Sequence, residues 1–339
     1  MVITNFNYVR YLPIAIESVL SQDLPVDLVV VDDCSTDGSR DLIRSYSNQL
    51  TPVMLDENAG QGAGFNAGFA AARGDLVMFL DADDFLLPGA AARIVANRKP
   101  DTSLYLYPMR YADETGSLFG MHPPHGFSTG DISSLLRKTG RYHGTITSGM
   151  VFDRNILDTF MPMETDEFRQ GADGYLAVLA PLYGRVSAES DIISAYRLHA
   201  EQHTRSAPDV FAARARYRIR HDASRYRILR EHSRKLGLPV APDLGRHDDH
   251  HIKERLISLM FDPAQHPCPE DTEQGLLRES RRIALQHQTG LRTYFRAAWW
   301  ALLSLLPPAA RRRMFSYELH PASRPAWFTK LARALKRPR

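Results

Sequence analysis

The chain has 339 residues, a formal charge of +3, 44% hydrophobic and 24% charged residues, the composition of an ordinary globular protein. That length holds one large domain, or a domain with an appended region, and so small a net charge gives no reason to infer a nucleic-acid partner. The two cysteines, Cys34 and Cys268, lie far apart without Cys-x-x-Cys spacing, which excludes a disulfide framework and fits a reducing compartment.

Met1 leads at once into Val2-Ile3-Thr4, with no signal peptide, so a cytoplasmic location is expected. These residues predict a first strand, short enough that a start further upstream is also expected. In residues 12–22, Leu12, Ile16, Val19 and Leu20 recur at helical spacing, and Pro13 suits a first helical turn. Leu28, Val29, Val30 and Val31 predict a buried strand that ends in Asp32-Asp33. Ser35, Thr36 and Asp37 then offer caps for a helix carrying Leu42, Ile43, Tyr46 and Leu50. Residues 52–55 form a short third strand, and a glycine-rich run over 57–68 enters an alanine-rich helix that Gly74 stops. Leu76-Val77-Met78-Phe79-Leu80 predicts a strand buried on both faces, as in the middle of a parallel sheet. Pro88 opens a further helix. The order β-α-β-α-β-α-β-α predicts an α/β fold, a doubly wound and mostly parallel sheet flanked by helices.

Beyond residue 100 the pattern loosens. Strands are expected over 104–107, 146–152 and 192–198, helices over 131–138 and 173–182, and a Gly/Pro/His-rich loop over 120–130. Residues 209–236 are basic and helix-favouring, with Phe211, Ala215, Ile219, Tyr226 and Leu229 on an apolar stripe. Pro239 and Pro242 end that stretch, and Pro263, Pro267 and Pro269 mark a flexible join. The expected organisation is a domain over 1–205, in halves 1–100 and 101–205, followed by a helical, basic C-terminal region over 206–339. Within that region the apolar run at 297–306 is far shorter than the ~20 residues that span a bilayer. Trp299 and Trp300 lie close before Arg311-Arg312-Arg313, and two readings stand: a segment resting on an anionic membrane surface, or a core helix.

The chemistry concentrates after residue 80. Asp81, Asp83 and Asp84 place three carboxylates within four residues, and such groups raise one another's pKa unless a cation holds them. Oxygen ligands favour Mg²⁺ or Mn²⁺, which in turn suits a diphosphate. The bland alternative is an acidic, solvated turn. Asp32-Asp33 ends a second strand, and in a parallel sheet both clusters open to the crevice at the carboxyl ends, where ligands bind.

Several motifs follow in order: Thr4-x-x-Asn7, Ser18-Val19-Leu20-Ser21-Gln22, Val31-Asp32-Asp33-x-Ser35-x-Asp37-Gly38, Glu57-Asn58-x-Gly60, Asn66-x-Gly68, Ala72-x-Gly74-Asp75 and Leu80-Asp81-x-Asp83-Asp84. Together they resemble the nucleotide-sugar half of the family 2 inverting glycosyltransferases, which have the GT-A fold. The resemblance is dense over 1–100, patchy to about 205 and absent beyond. It implies a nucleoside-diphosphate sugar donor, in the first instance a UDP-sugar, with Mn²⁺ or Mg²⁺ as cofactor. It implies a glycan or lipid-linked hydroxyl as acceptor, in bacterial surface polysaccharide synthesis, with peripheral attachment at the inner face of the plasma membrane if the C-terminal segment meets lipid.

By the same resemblance Asp33 accepts from the uracil imide, while Thr4 and Phe6 cradle the base, and Asn7, Gly60 and Asn66 belong to the donor site. Asp81 and Asp83 form the DxD element, with Asp83 the direct metal ligand and Asp81 nearer the ribose and diphosphate. His199 approaches the diphosphate or the metal, and Thr147, Ser148 and Gly149 line the acceptor side. An inverting transfer needs a base that takes the acceptor's proton. Asp173 matches it, with Asp166 and Glu167 as fallbacks and a helix N-cap as the plain reading. Asp84 is expected to cap the Pro88 helix or to support its neighbours. Two departures stand out: Phe65 occupies the place where the family often has Arg, and Asp173 lacks the usual acidic neighbour and following aromatic.

Other signals carry less. Gly60-x-Gly62-x-Gly64 follows the third strand rather than the first, so it is not read as a dinucleotide fingerprint. His247, Asp248, Asp249, His250 and His251 have metal-ligand residue types without a recognised spacing. His122, His125 and His143 flank a loop that reads equally as a lid or as plain surface. Two rival functions remain at this stage, a nucleotidyltransferase and a non-catalytic sugar-nucleotide or glycan-binding scaffold.

Overall fold

The computed structural model describes residues 1–199, 211–287, 291–319, 324–326 and 328–329. The expected helix start at Asp209 and most of the basic tail beyond Leu319 lie outside the described residues. Chain order begins β1 (Val2–Asn5), α1 (Leu12–Leu20), β2 (Val29–Asp32), α2 (Ser39–Ser45), β3 (Thr51–Met54), α3 (Gln61–Ala71) and β4 (Leu76–Asp81). It continues β5 (Phe85–Leu86), α4 (Ala90–Ala96), β6 (Thr102–Leu106), β7 (Met109–Ala112), β8 (Leu118–His122), α5 (Ser133–Thr139), β9 (Met150–Asp153), α6 (Arg154–Leu157), α7 (Ala172–Tyr183), β10 (Arg185–Ala188) and β11 (Ser194–Arg197).

Seven strands form the main sheet in the order β10-β6-β9-β4-β1-β2-β3. All neighbours run parallel except β9, which is antiparallel to both β4 and β6. Helical crossovers link the parallel strands, so both faces are covered and the strands carry continuous apolar runs. Val29, Val30 and Val31 of β2 and Val77 to Leu80 of β4 are buried accordingly. Each such side chain contributes on the order of 1.5–3 kcal/mol when taken from water. The register sets Thr4 beside both Val31 and Asp81, and Asn5 beside Asp32. The carboxyl ends of β1, β2 and β4 therefore lie side by side, as the doubly wound reading requires.

Close packing of α3 on this sheet depends on its glycines. A Cβ at Gly68 would stand 2.2 Å from Val2 Cγ1 and 3.1 Å from Val31 Cγ2. Phe65, one turn earlier, is fully buried and stacks on Phe79 with ring centroids 4.1 Å apart. The residue that departs from the family pattern is thus a core residue, not a phosphate contact.

A second sheet runs β5-β11-β7-β8. Three of its strands, and β10 of the main sheet, were not expected. The loop expected over 120–130 begins inside β8, whose Leu118, Phe119 and Met121 are exposed. The strand expected over 146–152 is instead a single 3₁₀ turn, Thr147–Gly149, followed by β9.

The chain divides into two compact units. One comprises Met1–Arg137, Arg141–Gln202 and Arg227–Val240, and the other Lys138–Gly140, His203–Tyr226 and Ala241–Arg339. The long helix α8 (Phe211–Lys235) contributes to each, and α9 (Asp249–Phe261), α10 (Glu273–His287), α11 (Leu291–Leu305) and α12 (Pro308–Leu319) build the second. That unit has its own core, with Ile252, Leu256, Met260, Leu277, Trp300, Leu303 and Phe315 buried together. Asp248 caps α9 by accepting from the His250 and His251 amides, and His251 Nδ1 meets Asp222 Oδ2 at 3.1 Å. The His/Asp run at 247–251 therefore serves helix capping and ion pairing.

Candidate active site

Chain reversal after β4 buries the acidic cluster. Asp81 is half-buried, Asp83 and Asp84 are buried, and the Asp84 amide donates to the Asp81 carbonyl at 3.0 Å. β11 supplies what surrounds them. The Arg197 amide donates to Asp84 Oδ1 at 2.9 Å, and its Nε donates to the Asp83 carbonyl at 2.8 Å. Arg197 is fully buried between the rings of Tyr11 and Phe85, and burial holds its pKa below the ordinary value. Two residues on, His199 is fully buried with Nε2 3.0 Å from Asp83 Oδ2, its ring lying 4.6 Å from that of Tyr11. His199 Nδ1 and Asp84 Oδ2 are buried without a hydrogen-bond partner among the described residues.

Thr147, Ser148 and Gly149 are buried against this cluster. The Asp81 amide donates to Ser148 Oγ at 3.1 Å, and a Cβ at Gly149 would meet the Tyr107 carbonyl at 2.8 Å. Burial, then the charges of Asp83 and Asp173, push the Asp81 pKa up to about 8, while hydrogen bonds from Thr147 and Gln61 oppose the rise. Burial, with the charges of Asp83 and Asp81, holds Asp84 well above the usual carboxylate range. A strand end that concentrates negative charge out of water is stabilised by a bound cation. The donor set fits one: Asp83 Oδ2 and His199 Nε2 converge, an oxygen and an imidazole nitrogen. Among the described residues no third His, Cys, Asp or Glu donor lies within 4.8 Å of both.

Asp173 is the second residue of α7, and its charge reaches Asp81. The helix starts abruptly after Gly171 at φ +70°, which offers no side chain to cap it. Gln61, the first residue of α3, fills that role. Its Oε1 accepts from the Ala172 amide at 3.0 Å, and its Nε2 donates to Asp81 Oδ1 at 3.3 Å. Glycines allow the approach: a Cβ at Gly60 would stand 2.5 Å from the Arg169 carbonyl, and one at Gly62 2.6 Å from that of Phe168. Asn66 fastens the same segment, donating to the Met163 carbonyl at 2.9 Å and accepting from its amide at 2.8 Å. Glu167 instead pairs with Arg227, at 3.1 Å, and Asp166 is exposed.

On the β2 side, Asp33 accepts from the Ala59 amide at 2.7 Å and the Gly60 amide at 2.8 Å, and each oxygen keeps a second lone pair. Asp32 is structural, buried under Asn5 Nδ2 and the Ser35 amide. Asn7, at φ +59°, accepts from the Thr36 amide, Thr4 lines the sheet beside Gly64, and Phe6 is exposed at 41%. The structure thus gathers Asp81, Asp83, His199, Asp173 and residues 147–149 around one strand end, with Asp33 and Gly60 beside it. Sequence reasoning missed Gln61, which sat inside a run read only for its glycines. It also missed Arg197, two residues before His199.

Two other features do not join this site. A cavity of about 640 Å³ lies at the opposite ends of the strands, lined by Arg98, Lys99, Thr102, Asp153 and Arg185 among others. Arg98 and Lys99 already pair with Asp75 and Glu189. In the second unit, donor atoms of His266, Cys268 and Asp271 lie within 4.8 Å of one another. Arg255 already holds both Asp271 oxygens, and His266 bonds Ser258 Oγ at 2.9 Å and Asp271 at 3.0 Å, so this cluster latches the proline-rich join.

A sequence model described as Glycosyl transferase family 2 matches residues 1–160. An uncharacterized glycosyltransferase of Nostoc sp. is 34% identical over 215 residues, 61% of this chain and 66% of the relative. The succinoglycan biosynthesis protein ExoO of Rhizobium meliloti is 38% identical over 96 residues, 28% of each chain. The chain thus matches less than two thirds of the length of these relatives. Among solved structures, Staphylococcus aureus TarS 1–349 in complex with UDP-GlcNAc aligns with a TM-score of 0.50 at 18% identity, over 89% of both chains. The mannosyltransferase PcManGT of Pyrobaculum calidifontis, in complex with GDP-Man and Mn²⁺, aligns with a TM-score of 0.50 at 18% identity, over 93% of this chain and 81% of that one. At such identities the likeness speaks for the fold alone. Residues 1–160 match the model of glycosyl transferase family 2, and the chain has a fold of the GT-A type.

Proposed function

We propose that residues 1–205 carry a metal-dependent inverting glycosyl transfer from a nucleoside-diphosphate sugar, in the first instance a UDP-sugar, to a hydroxyl of a glycan or lipid-linked acceptor. The observation that carries this is the pairing of Asp83 with His199 at the end of β4, with the charge of Asp173, on α7, reaching Asp81. Asp83 and His199 would hold Mn²⁺ or Mg²⁺, with Asp81 turned toward the ribose and diphosphate. The bound ion would offset charge on the departing nucleoside diphosphate. Asp33, with Thr4 and Phe6, is assigned to the base, and Asn7, Gly60 and Asn66 to the wall of the donor site. Asn66 acts there through Met163, since both ends of its amide are engaged with that backbone. Thr147, Ser148 and Gly149, assigned to the acceptor side, support the strand end from beneath.

Asp173 is assigned the base. It takes the proton from the acceptor oxygen as that oxygen attacks the anomeric carbon and the sugar–phosphate bond breaks. Asp173→Asn should lower kcat by about two orders of magnitude or more while leaving Mn²⁺-dependent UDP affinity within about threefold. Undiminished turnover in that variant would remove Asp173 from the role.

Peripheral attachment to anionic lipid is proposed for the second unit. Tyr294, Phe295, Leu302 and Leu305 of α11 are exposed, Leu305 at 83%, and exposed Arg312 and Arg313 follow on α12. Among the described residues no helix is long and apolar enough to cross a membrane.

A further inference from the structure

We infer that Gln61 is a positioning residue that couples the donor-side carboxylate Asp81 to the helix bearing Asp173; this rests on the glycosyl-transfer reading above. Gln61 is half-buried at the head of α3, and its amide spans two groups that must stay in register. One is Asp81 Oδ1, reached by Nε2 at 3.3 Å, and the other is the Ala172 amide, which donates to Oε1 at 3.0 Å. The polarity of this bridge is fixed. Turning the amide over would set N–H against the Ala172 N–H and withdraw the donor from Asp81.

The bridge also serves a helix end that cannot serve itself. Ala172 carries one of the amides left open at the start of any α-helix, and Gly171 has no side chain to accept from it. The backbone around Gln61 holds the bridge in place. The Gln61 amide donates to the Arg169 carbonyl at 2.7 Å, and Gly60 and Gly62 admit no Cβ against residues 168 and 169. Asp81 and Asp173 are thereby kept at a set spacing across the site although they come from distant parts of the chain.

A plain capping role and a coupling role separate cleanly in Gln61→Glu. The glutamate keeps an oxygen for the Ala172 amide, and a negative charge suits a helix N-terminus, so a cap alone predicts unchanged stability and turnover. Coupling predicts otherwise, because Asp81 loses the N–H donor that Gln61 supplies.

The test measures release of nucleoside diphosphate from a panel of UDP-, GDP- and dTDP-sugars in Mn²⁺, with water as acceptor, on wild type, Gln61→Glu and Gln61→Ala. Melting curves accompany each protein. The inference expects Gln61→Glu to melt with the wild type, to lose about tenfold or more in kcat, and to change donor KM by less than about threefold. Gln61→Ala should lose as much, and a lowered melting temperature in that variant alone leaves the result from Gln61→Glu standing. Wild-type kcat in Gln61→Glu overturns the coupling and leaves the transfer reading intact. Absence of release by the wild-type protein from every donor overturns the transfer reading itself.

Discussion

At the scale of single residues, the acidic strand end has a measurable consequence without any substrate. Burial, with the charges of Asp83 and Asp173, pushes the Asp81 pKa in the folded protein up to about 8, against an ordinary value of 3.8. Between those limits the native state binds more protons than the unfolded state, so this group makes cation-free stability fall as pH rises. Asp81→Asn removes the dependence. In EDTA the variant should melt above the wild type at pH 8, by at least ~1 kcal/mol, with the gap closing toward pH 4. A wild type and variant that respond alike to pH would show that Asp81 is not held in this state.

Legibility at this scale follows from chemistry. Asp33, Asp81, Asp83 and Asp173 stand out in the sequence because they follow buried apolar strands or open a helix within motifs that resemble a known family. Gln61 does not, since its role depends on what lies across the site, 111 residues away at Ala172. Phe65 illustrates the opposite case: a family pattern suggested a lost ligand contact, and the structure gives the side chain a place in the core.

Among elements, the approach of α3 to the 163–171 segment governs the site. Gly62→Ala would press a Cβ against the Phe168 carbonyl, 2.6 Å away, and the backbone there has to move. The expected cost is about 1–3 kcal/mol, and donor turnover should fall with it, because the displaced segment leads into α7. Circular dichroism melts paired with turnover assays check both; a silent substitution would mean that the segment is not tightly held.

The strands β1, β2 and β4 were legible as apolar runs bounded by caps and glycines, since a strand covered on both faces has no choice of composition. β5, β7, β8 and β10 were not. β5 has two residues, and β8 is largely exposed, so neither alternation nor a buried run marks it. The antiparallel direction of β9 leaves no trace in its own residues, because Met150, Val151 and Phe152 would suit either direction.

For the molecule as a whole, the two units differ in what they offer. The second has a buried core of its own and, on α11, large apolar side chains turned outward. If these rest on lipid, the protein should sediment with vesicles containing anionic phosphatidylglycerol and not with neutral phosphatidylcholine. Leu302→Glu/Leu305→Glu should then weaken binding about tenfold or more, as loss of buried apolar area implies. Equal recovery with both kinds of vesicle, or none with either, would argue against that reading. The acceptor sugar or lipid left no mark in the sequence, because family and fold do not determine it.

The measurement that bears most directly on the account is calorimetric binding of UDP, GDP and dTDP, each with and without Mn²⁺, to wild type and Asp83→Asn. The account predicts that one nucleotide, UDP first, binds with Mn²⁺ and loses about a hundredfold in affinity when Mn²⁺ is withheld or Asp83 is replaced. Binding that ignores both the metal and the substitution would contradict it, since Asp83 and His199 would then have no cation to hold.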